Sequence, residues 1–311
     1  MKKIHYLFLF LVSFSLLTQC KKDKYSLPEE HAKEGKSGLE KARHTYGEIT
    51  FVADPTYKNL VEAWVATYTN DYPKVKIKVD YLIEDLAIKK FSEGEYPIAI
   101  VGKELSQQQQ NYLYQKTTIK YVPSAVAMDA TVLITNIQNP IDSISTKQMK
   151  KELYADGTQY VFDRANSSNF NTINDKLGVR VPKNKKVNSI EDFDQMLTFL
   201  EKSPKAIGII GLNVLSDLDN KKVQEYLKRV KILAIVNDQN KAVRPDLENL
   251  RNGSYPFIRF VYILKNEIGF GIGSGFTRFA GSQQGQLIVK KEEMQPYFLY
   301  KREVRIQSNA L

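Results

Sequence analysis

The sequence predicts an α/β fold, and three observations carry that expectation. From Gly47 onward, short β-branched runs alternate with stretches whose apolar residues recur at helical spacing, the pattern of strands joined through helices. The 311 residues are 42% apolar and 26% charged, the balance of a folded globular protein. That length can build one large domain or two lobes, each with its own core.

The elements follow in order. "EITFVA" reads as a strand, and residues 55–69 carry Leu60, Val61, Trp64, Val65 and Tyr68 at helical spacing. Asp54-Pro55 marks the join, with Asp as a strong N-cap and a proline in the first turn. "KVKIKVDYL" alternates as a strand, residues 82–93 form a helix, and "PIAIVG" is a short buried strand. Ser106 opens the helix "LSQQQQNYLYQ", and "IKYVPSAVAMDATVLITN" gives two strand-like runs. Ser145 then starts a helix through Lys151, "QYVFD" is a strand, and residues 170–177 and 189–202 are helical. "AIGIIGL" is a buried strand, "VQEYLKRV" a helix and "KILAIV" a strand. Last come the strand "IRFVYILK", a glycine-rich turn and a single helix across 276–289.

The first residues differ in character. Lys2 and Lys3 precede an apolar run over 6–17 that is short for a membrane span, so 1–19 reads as a signal peptide. Cys20, the only cysteine, ends "LLTQC", which resembles a bacterial lipoprotein lipobox with Gln19 where Ala or Gly is more common. That resemblance implies cleavage before Cys20, lipid attachment to it, and a place in the cell envelope facing the periplasm or the cell surface. An ordinary signal peptide with an incidental cysteine is the alternative. Residues 20–45 are rich in charge, Ser and Gly and read as a flexible tether.

Charge and composition also exclude. The net charge of +10 falls to +8 without Lys2 and Lys3, which suits anionic lipid or an anionic ligand and equally a solvated surface with excess lysine. No basic stripe is interleaved with aromatics, so nucleic acid is not an expected partner. From Tyr46 onward there is neither His nor Cys. This removes a Ser-His-Asp triad, a cysteine nucleophile and zinc sites built on imidazole or thiolate. "GFGIGSG" has neither dinucleotide-binding nor Walker spacing. No enzyme, metal or cofactor is expected.

Several stretches, taken in order, resemble the phosphate-binding receptor of phosphate ABC transporters. They are "YPKVKIKVDY", "GEYPIAIVGKELS", "SAVAMDATVLITNIQNPIDSISTKQMKKELYADG", "SPKAIGIIGL" and "RPDLENLRNGSYPFIRFVYIL" followed by "FTRFAGSQQGQLIVKKEEMQP". The resemblance implies a two-lobed type II periplasmic-binding-protein fold with two crossovers between lobes. One lobe would comprise 46–128 plus 236–311 and the other 129–235. A small anionic solute, phosphate in the family, would sit between them at helix amino ends, without catalysis, and an ABC permease or another envelope complex would be the partner.

On this pattern the ligand-binding residues are Thr56 at the first strand-to-helix turn, Lys103 after the third strand, and Arg164, Ser167, Ser168 and Asn169 in "FDRANSSNFNTI". Arg164 stands at the anion-clamping position, with a surface ion pair as its alternative role. Two positions depart from the family. Pro55 has no N–H to offer and follows Asp54, a carboxylate suited to capping the same turn. Pro97 stands where the family has a buried aspartate. Two functions are therefore in play: a receptor for a small anionic solute, or an envelope interaction protein that kept the fold and lost phosphate binding.

Overall fold

The computed structural model describes residues 44–300 apart from Thr158 and Glu293. The expected signal peptide over 1–19, Cys20 and all but the end of the tether lie outside those residues. The tether's last part is held: Tyr68 donates its hydroxyl to His44 O at 2.7 Å, and the His44 ring meets Tyr72 and Phe270 edge-on.

The first part of the chain runs β1 (Tyr46–Ala53), a single 3-10 turn (Pro55–Tyr57), α1 (Lys58–Asp71), β2 (Lys74–Tyr81), α2 (Glu84–Ser92), β3 (Ile98–Val101) and α3 (Gln107–Thr117). β1 lies between β2 and β3 and is parallel to both, because each link between them is a helical crossover. α1 buries Leu60, Val61, Trp64 and Tyr68, four of the five positions at helical spacing. α3 begins in a capping box in which Ser106 and Gln109 satisfy each other's backbone N–H.

The chain then enters β4 (Val122–Asn136), one strand where two shorter runs were expected. After it come β5 (Ser143–Ser145), α4 (Thr146–Glu152), β6 (Tyr160–Phe162), α5 (Ser168–Leu177), α6 (Phe193–Lys202) and β7 (Ile207–Gly211). A second 3-10 turn (Leu212–Val214) leads to α7 (Lys221–Arg229), β8 (Val230–Ile232), β9 (Ala234–Val236), β10 (Ala242–Val243) and α8 (Leu247–Arg251). The chain closes with β11 (Ile258–Lys265), α9 (Ile272–Ala280), α10 (Gln283–Lys291) and β12 (Gln295–Pro296).

The main sheet has the order β2-β1-β3-β11-β4-β7-β6. β4 serves both of its halves. Residues 122–130 pair antiparallel with β11, and 131–134 pair antiparallel with β7. The apolar interior divides at the same place. One cluster draws on Ala130 through Phe257, and two others combine Phe51–Ala127 with Val261–Met294. The chain thus crosses between lobes twice, near Asp129–Thr131 in β4 and near Phe257–Arg259 entering β11. Val243, Leu250 and Tyr255, grouped by sequence with the first lobe, pack in the second core.

Two other elements differ from expectation. "KILAIV" is two strands: β8 pairs with β4, whereas β9 joins β5 and β10 in a separate small sheet. The helix across 276–289 is broken between α9 and α10, because Ser282 Oγ turns back to Phe279 O at 2.6 Å and caps the new helix by accepting from Gly285 N at 3.3 Å. α9 also begins earlier, at Ile272, since the Glu267 carboxylate accepts from Gly273 N at 3.1 Å and Ser274 N at 2.8 Å. Gly285 lies under this break. A Cβ there would stand 2.6 Å from Ala280 O and closer still to Phe279 O, while Trp64 Nε1 donates to Gly285 O at 3.0 Å. Gly285→Ala is expected to lower stability by about 2–3 kcal/mol, the cost of overpacking against backbone that cannot yield. The urea midpoint measures this.

Candidate functional site

The site is built where the two lobes meet, at the carboxyl end of β1. The chain leaves the sheet with Asp54 N donating to Ile100 O at 3.0 Å, and Asp54 is completely buried. Its Oδ1 accepts from Thr56 N at 2.7 Å, which Pro55 cannot do because it has no N–H. Its Oδ2 accepts from Ser168 N at 3.1 Å, in the first turn of α5 on the opposite lobe. One carboxylate therefore takes the exposed N–H groups of two helical starts, one from each lobe. That is the position in which an oxyanion would be held by helix amino ends.

Arg259 forms the second part. β11 faces alternate, and Arg259, Val261 and Ile263 point to the buried side. In the β4–β11 ladder Arg259 stands directly opposite Asp129. Both side chains are buried, and the guanidinium Nε and Nη2 donate to Asp129 Oδ2. Nη1 donates to Ser168 Oγ at 2.6 Å, and the guanidinium carbon lies 4.9 Å from the centre of the Tyr57 ring. This ion pair therefore sits at both crossovers and ties the start of α5 to them.

Glu84 forms the third part. It is 1% exposed, and its Oε1 accepts from Gly102 N at 2.6 Å while Oε2 accepts from Asn171 Nδ2 of the other lobe at 2.7 Å. Asn171 Nδ2 also donates to Asp85 Oδ1 at 2.9 Å, and Asp85 N lies 3.4 Å from Asn166 O. Burial pushes the Glu84 carboxyl up to about 7, with repulsion from Asp54 as the next cause and Lys103 opposing. Burial likewise raises Asp54, against the pull of Thr56 and Arg259. Asp163 is raised by burial too, with Asp54 adding to the rise.

The residues singled out by sequence take distinct places. Thr56 is buried in the seam, and Asn213 Nδ2 donates to its carbonyl at 2.7 Å. Ser168 contacts Asp54 and Arg259 as described. Ser167 caps α5 by accepting from Phe170 N at 3.2 Å and donates to Asp163 Oδ1 at 3.0 Å. Asn169 is buried, donating to Asp163 Oδ2 at 2.7 Å and accepting from Thr131 Oγ1 at 2.9 Å. Lys103 lies at the cleft rim, 3.1 Å from Asp85 Oδ1 and 3.7 Å from Glu84 Oε2. Arg164 turns to Glu191, with Nε 3.4 Å from Oε2. The guanidinium inside the cleft is Arg259, which sequence reasoning missed together with Asp129 and Glu84.

The lobes touch closely. A Cβ at Gly102 would stand 2.7 Å from Tyr57 OH, 2.9 Å from Glu84 Oε1 and 2.9 Å from Ser168 Cβ. One at Gly211 would stand 2.6 Å from Arg259 Nη2. Four buried polar atoms around Arg259 have no hydrogen-bond partner among the described residues: Thr56 Oγ1, Tyr57 OH, Asp129 Oδ1 and Asn213 Oδ1. Among the described residues no cluster of three His, Cys, Asp or Glu is arranged to hold a metal ion. Asp54, Glu84 and Asp129 are buried and Asp163 is half-buried, all set near one buried guanidinium; whichever of these carboxyls is ionised repels an incoming anion.

Comparison with known proteins places this geometry. A family model described as a PBP superfamily domain matches residues 40–283. The phosphate-binding protein PstS of Staphylococcus epidermidis is 24% identical over 263 residues, which cover 77% of this chain and 75% of that protein. Protein SphX of Synechococcus elongatus is 26% identical over 206 residues, or 58% of this chain and 56% of that protein. The aligned part thus spans little more than half of the SphX relative. Among solved structures, an ABC-type phosphate transport receptor from Vibrio cholerae superposes with a TM-score of 0.61 at 16% identity, covering 79% of this chain and 99% of that one. PstS from Borrelia burgdorferi gives 0.54 at 17% identity, covering 80% and 98%. With its curled mixed sheet and two crossovers, this chain belongs to the PBP superfamily and has the two-lobed type II periplasmic-binding-protein fold.

Proposed function

We propose that this chain is a lipid-anchored, non-catalytic envelope protein of phosphate-receptor descent whose inter-lobe seat is filled by its own Asp54. In this reading the closed two-lobed body engages an envelope partner through its surface and does not hold phosphate tightly. The observation that carries it is the Asp54 carboxylate, which accepts from Thr56 N and from Ser168 N across the lobes. A phosphate would need both donors, and each hydrogen bond to a charged group is worth roughly 1.5–3 kcal/mol. It would also have to enter a seam lined by the buried carboxyl of Glu84 and the half-buried one of Asp163. Anchoring at Cys20 and an envelope location rest on the lipobox resemblance of "LLTQC".

A receptor reading keeps one specific support. The unpartnered Thr56 Oγ1, Tyr57 OH, Asp129 Oδ1 and Asn213 Oδ1 beside Arg259 are groups that an opened cleft could turn toward a small polar solute. Isothermal titration with phosphate separates the two. The expected result is no saturable binding in the micromolar range for the wild-type chain. Asp54→Gly frees two N–H donors and removes a charge, so it is expected to strengthen phosphate binding by roughly a hundredfold or more. Micromolar phosphate binding by the wild type would overturn the proposal in favour of a receptor.

A further inference from the structure

A cavity of about 680 Å³ opens on the second lobe, away from the cleft, between α4, the carboxyl end of α5, the β9–β10 turn and the segment leading into β11. Three lysines line it: Lys147 and Lys150 from α4, and Lys176 from the last turn of α5. Among the described residues none of the three has a carboxylate within salt-bridge distance. Of the lobe's other lysines, Lys185, Lys222, Lys228 and Lys231 hold one and Lys151, Lys183, Lys186, Lys202, Lys205, Lys221 and Lys241 do not, so these three are set apart by lining one cavity together. Among the described residues the cavity's only lining carboxylate is Asp238, which already accepts from Thr146 Oγ1 at 3.0 Å. Asn237 Oδ1 accepts from Gln239 N and Lys241 N, and among the described residues its Nδ2 makes no hydrogen bond. The buried side chains of Leu177 and Phe257 contribute apolar wall.

Lys147, Lys150 and Lys176 are exposed and line one concavity, and like charges around one space attract an anion into it. The charge surplus of two matches a doubly ionised phosphate monoester. The volume exceeds what a bare phosphate ion needs and lies in the range of sites for small organic ligands. We propose that this cavity is a second site, independent of the inter-lobe cleft, for a phosphate monoester carried on a polar organic group. That chemistry is shared by soluble phosphorylated metabolites and by phosphate-bearing lipid headgroups, and the apolar wall would pack against the organic part of either.

The test uses glycerol phosphate as the soluble probe and phosphatidylcholine vesicles doped with phosphatidic acid as the lipid probe. Titration and vesicle co-sedimentation are run on the wild-type chain, on Lys147→Ala/Lys150→Ala/Lys176→Ala, and on the corresponding triple arginine variant. The expected result is binding of one probe, weakened roughly tenfold or more in the alanine variant, kept in the arginine variant and weakened by salt. The probe that binds identifies the source. All three lysines are exposed at their ends, so circular dichroism of the alanine variant should match the wild type. Binding of neither probe overturns the proposal. So does binding unchanged in the alanine variant, which would place the phosphate in the cleft and count instead against the self-filled seat.

Discussion

Replacing Arg259 by methionine is expected to destabilise the protein by about 3–5 kcal/mol, because Asp129 is left as an uncompensated buried charge. Asp129→Leu should cost about as much, for the mirror-image reason. The two residues are directly opposite each other in the β4–β11 ladder and both side chains are buried, so the effects should not add. The double variant Arg259→Met/Asp129→Leu is expected to recover much of either loss, since a volume-matched apolar pair often replaces a buried ion pair at little cost. Recovery should be incomplete. Arg259 also donates to Ser168 Oγ and covers the Tyr57 ring, and neither contact survives in the double variant. Guanidinium midpoints for the four proteins give the coupling energy, and about 2 kcal/mol or more is expected. Single variants within 1 kcal/mol of wild type would mean that water reaches the crossovers and that the pair is not the lock described.

How much of this site could be read in advance depended on sequence distance. Asp54 was legible because capping is local: an aspartate before proline at a strand end satisfies the next turn whatever the rest of the chain does. Its second partner, Ser168, lies 114 residues away. The helix expected from residue 170 placed residues 167–169 at its start but did not show what faced them. Arg259 did leave a trace, since it shares the inward phase of β11 with Val261 and Ile263, and a charged residue on an apolar face implies a buried partner. Arg164 drew attention because "FDRANSSNFNTI" resembles the family's anion-clamping segment, and the structure gives it the alternative role, an ion pair with Glu191. Glu84 left none. An acidic residue in a first helical turn reads as a solvated favourable charge, and only the approach of Gly102 and Asn171 from distant segments buries it.

The same principle explains the fold. Helix starts were marked by Ser106 and Ser145, each of which caps its helix through its own side chain, whereas the helix expected from residue 189 begins only at Phe193, where Asp192 accepts from Gln195 N. The continuity of β4 was not marked, because it depends on two different partners, β11 and β7, taking successive halves of one strand. The break between α9 and α10 turned on Ser282 bonding backward to Phe279 O, a choice that apolar periodicity does not encode.

The buried carboxylates make stability depend on pH in a direction opposite to that of an ordinary surface acid. Glu84 faces Asp54, Lys103 and Asp85, and its carboxyl is pushed from 4.5 up to about 7, by burial first. The folded state therefore holds a proton that the unfolded chain releases at lower pH. Stability from this group is fully present below about pH 4.5 and is lost as pH rises to about 7. The shift corresponds to about 3 kcal/mol. Asp54 and Asp163 are raised as well and act in the same direction. The exposed acids Glu95 and Asp142 and the half-buried Asp80 are shifted down by their lysine partners, so they act at lower pH and with the opposite sign. Between pH 5 and 8 the wild-type melting temperature should fall. Glu84→Gln keeps an oxygen for the Gly102 N–H and carries no charge, so its profile should be flatter. At pH 8 it should be more stable than the wild type by about 1–3 kcal/mol. Glu84 and Asp54 accept from Asn171 and Ser168 of the other lobe, so parting the lobes is expected to hydrate both carboxyls and release the protons that burial holds on them. An acid shift should thus hold the lobes together and an alkaline one loosen them, measurable as faster amide exchange at Ser168 and Gly102 above pH 7 after correction for the intrinsic rate. Parallel profiles for wild type and Glu84→Gln would show that Glu84 is hydrated in solution and that the seam is open there.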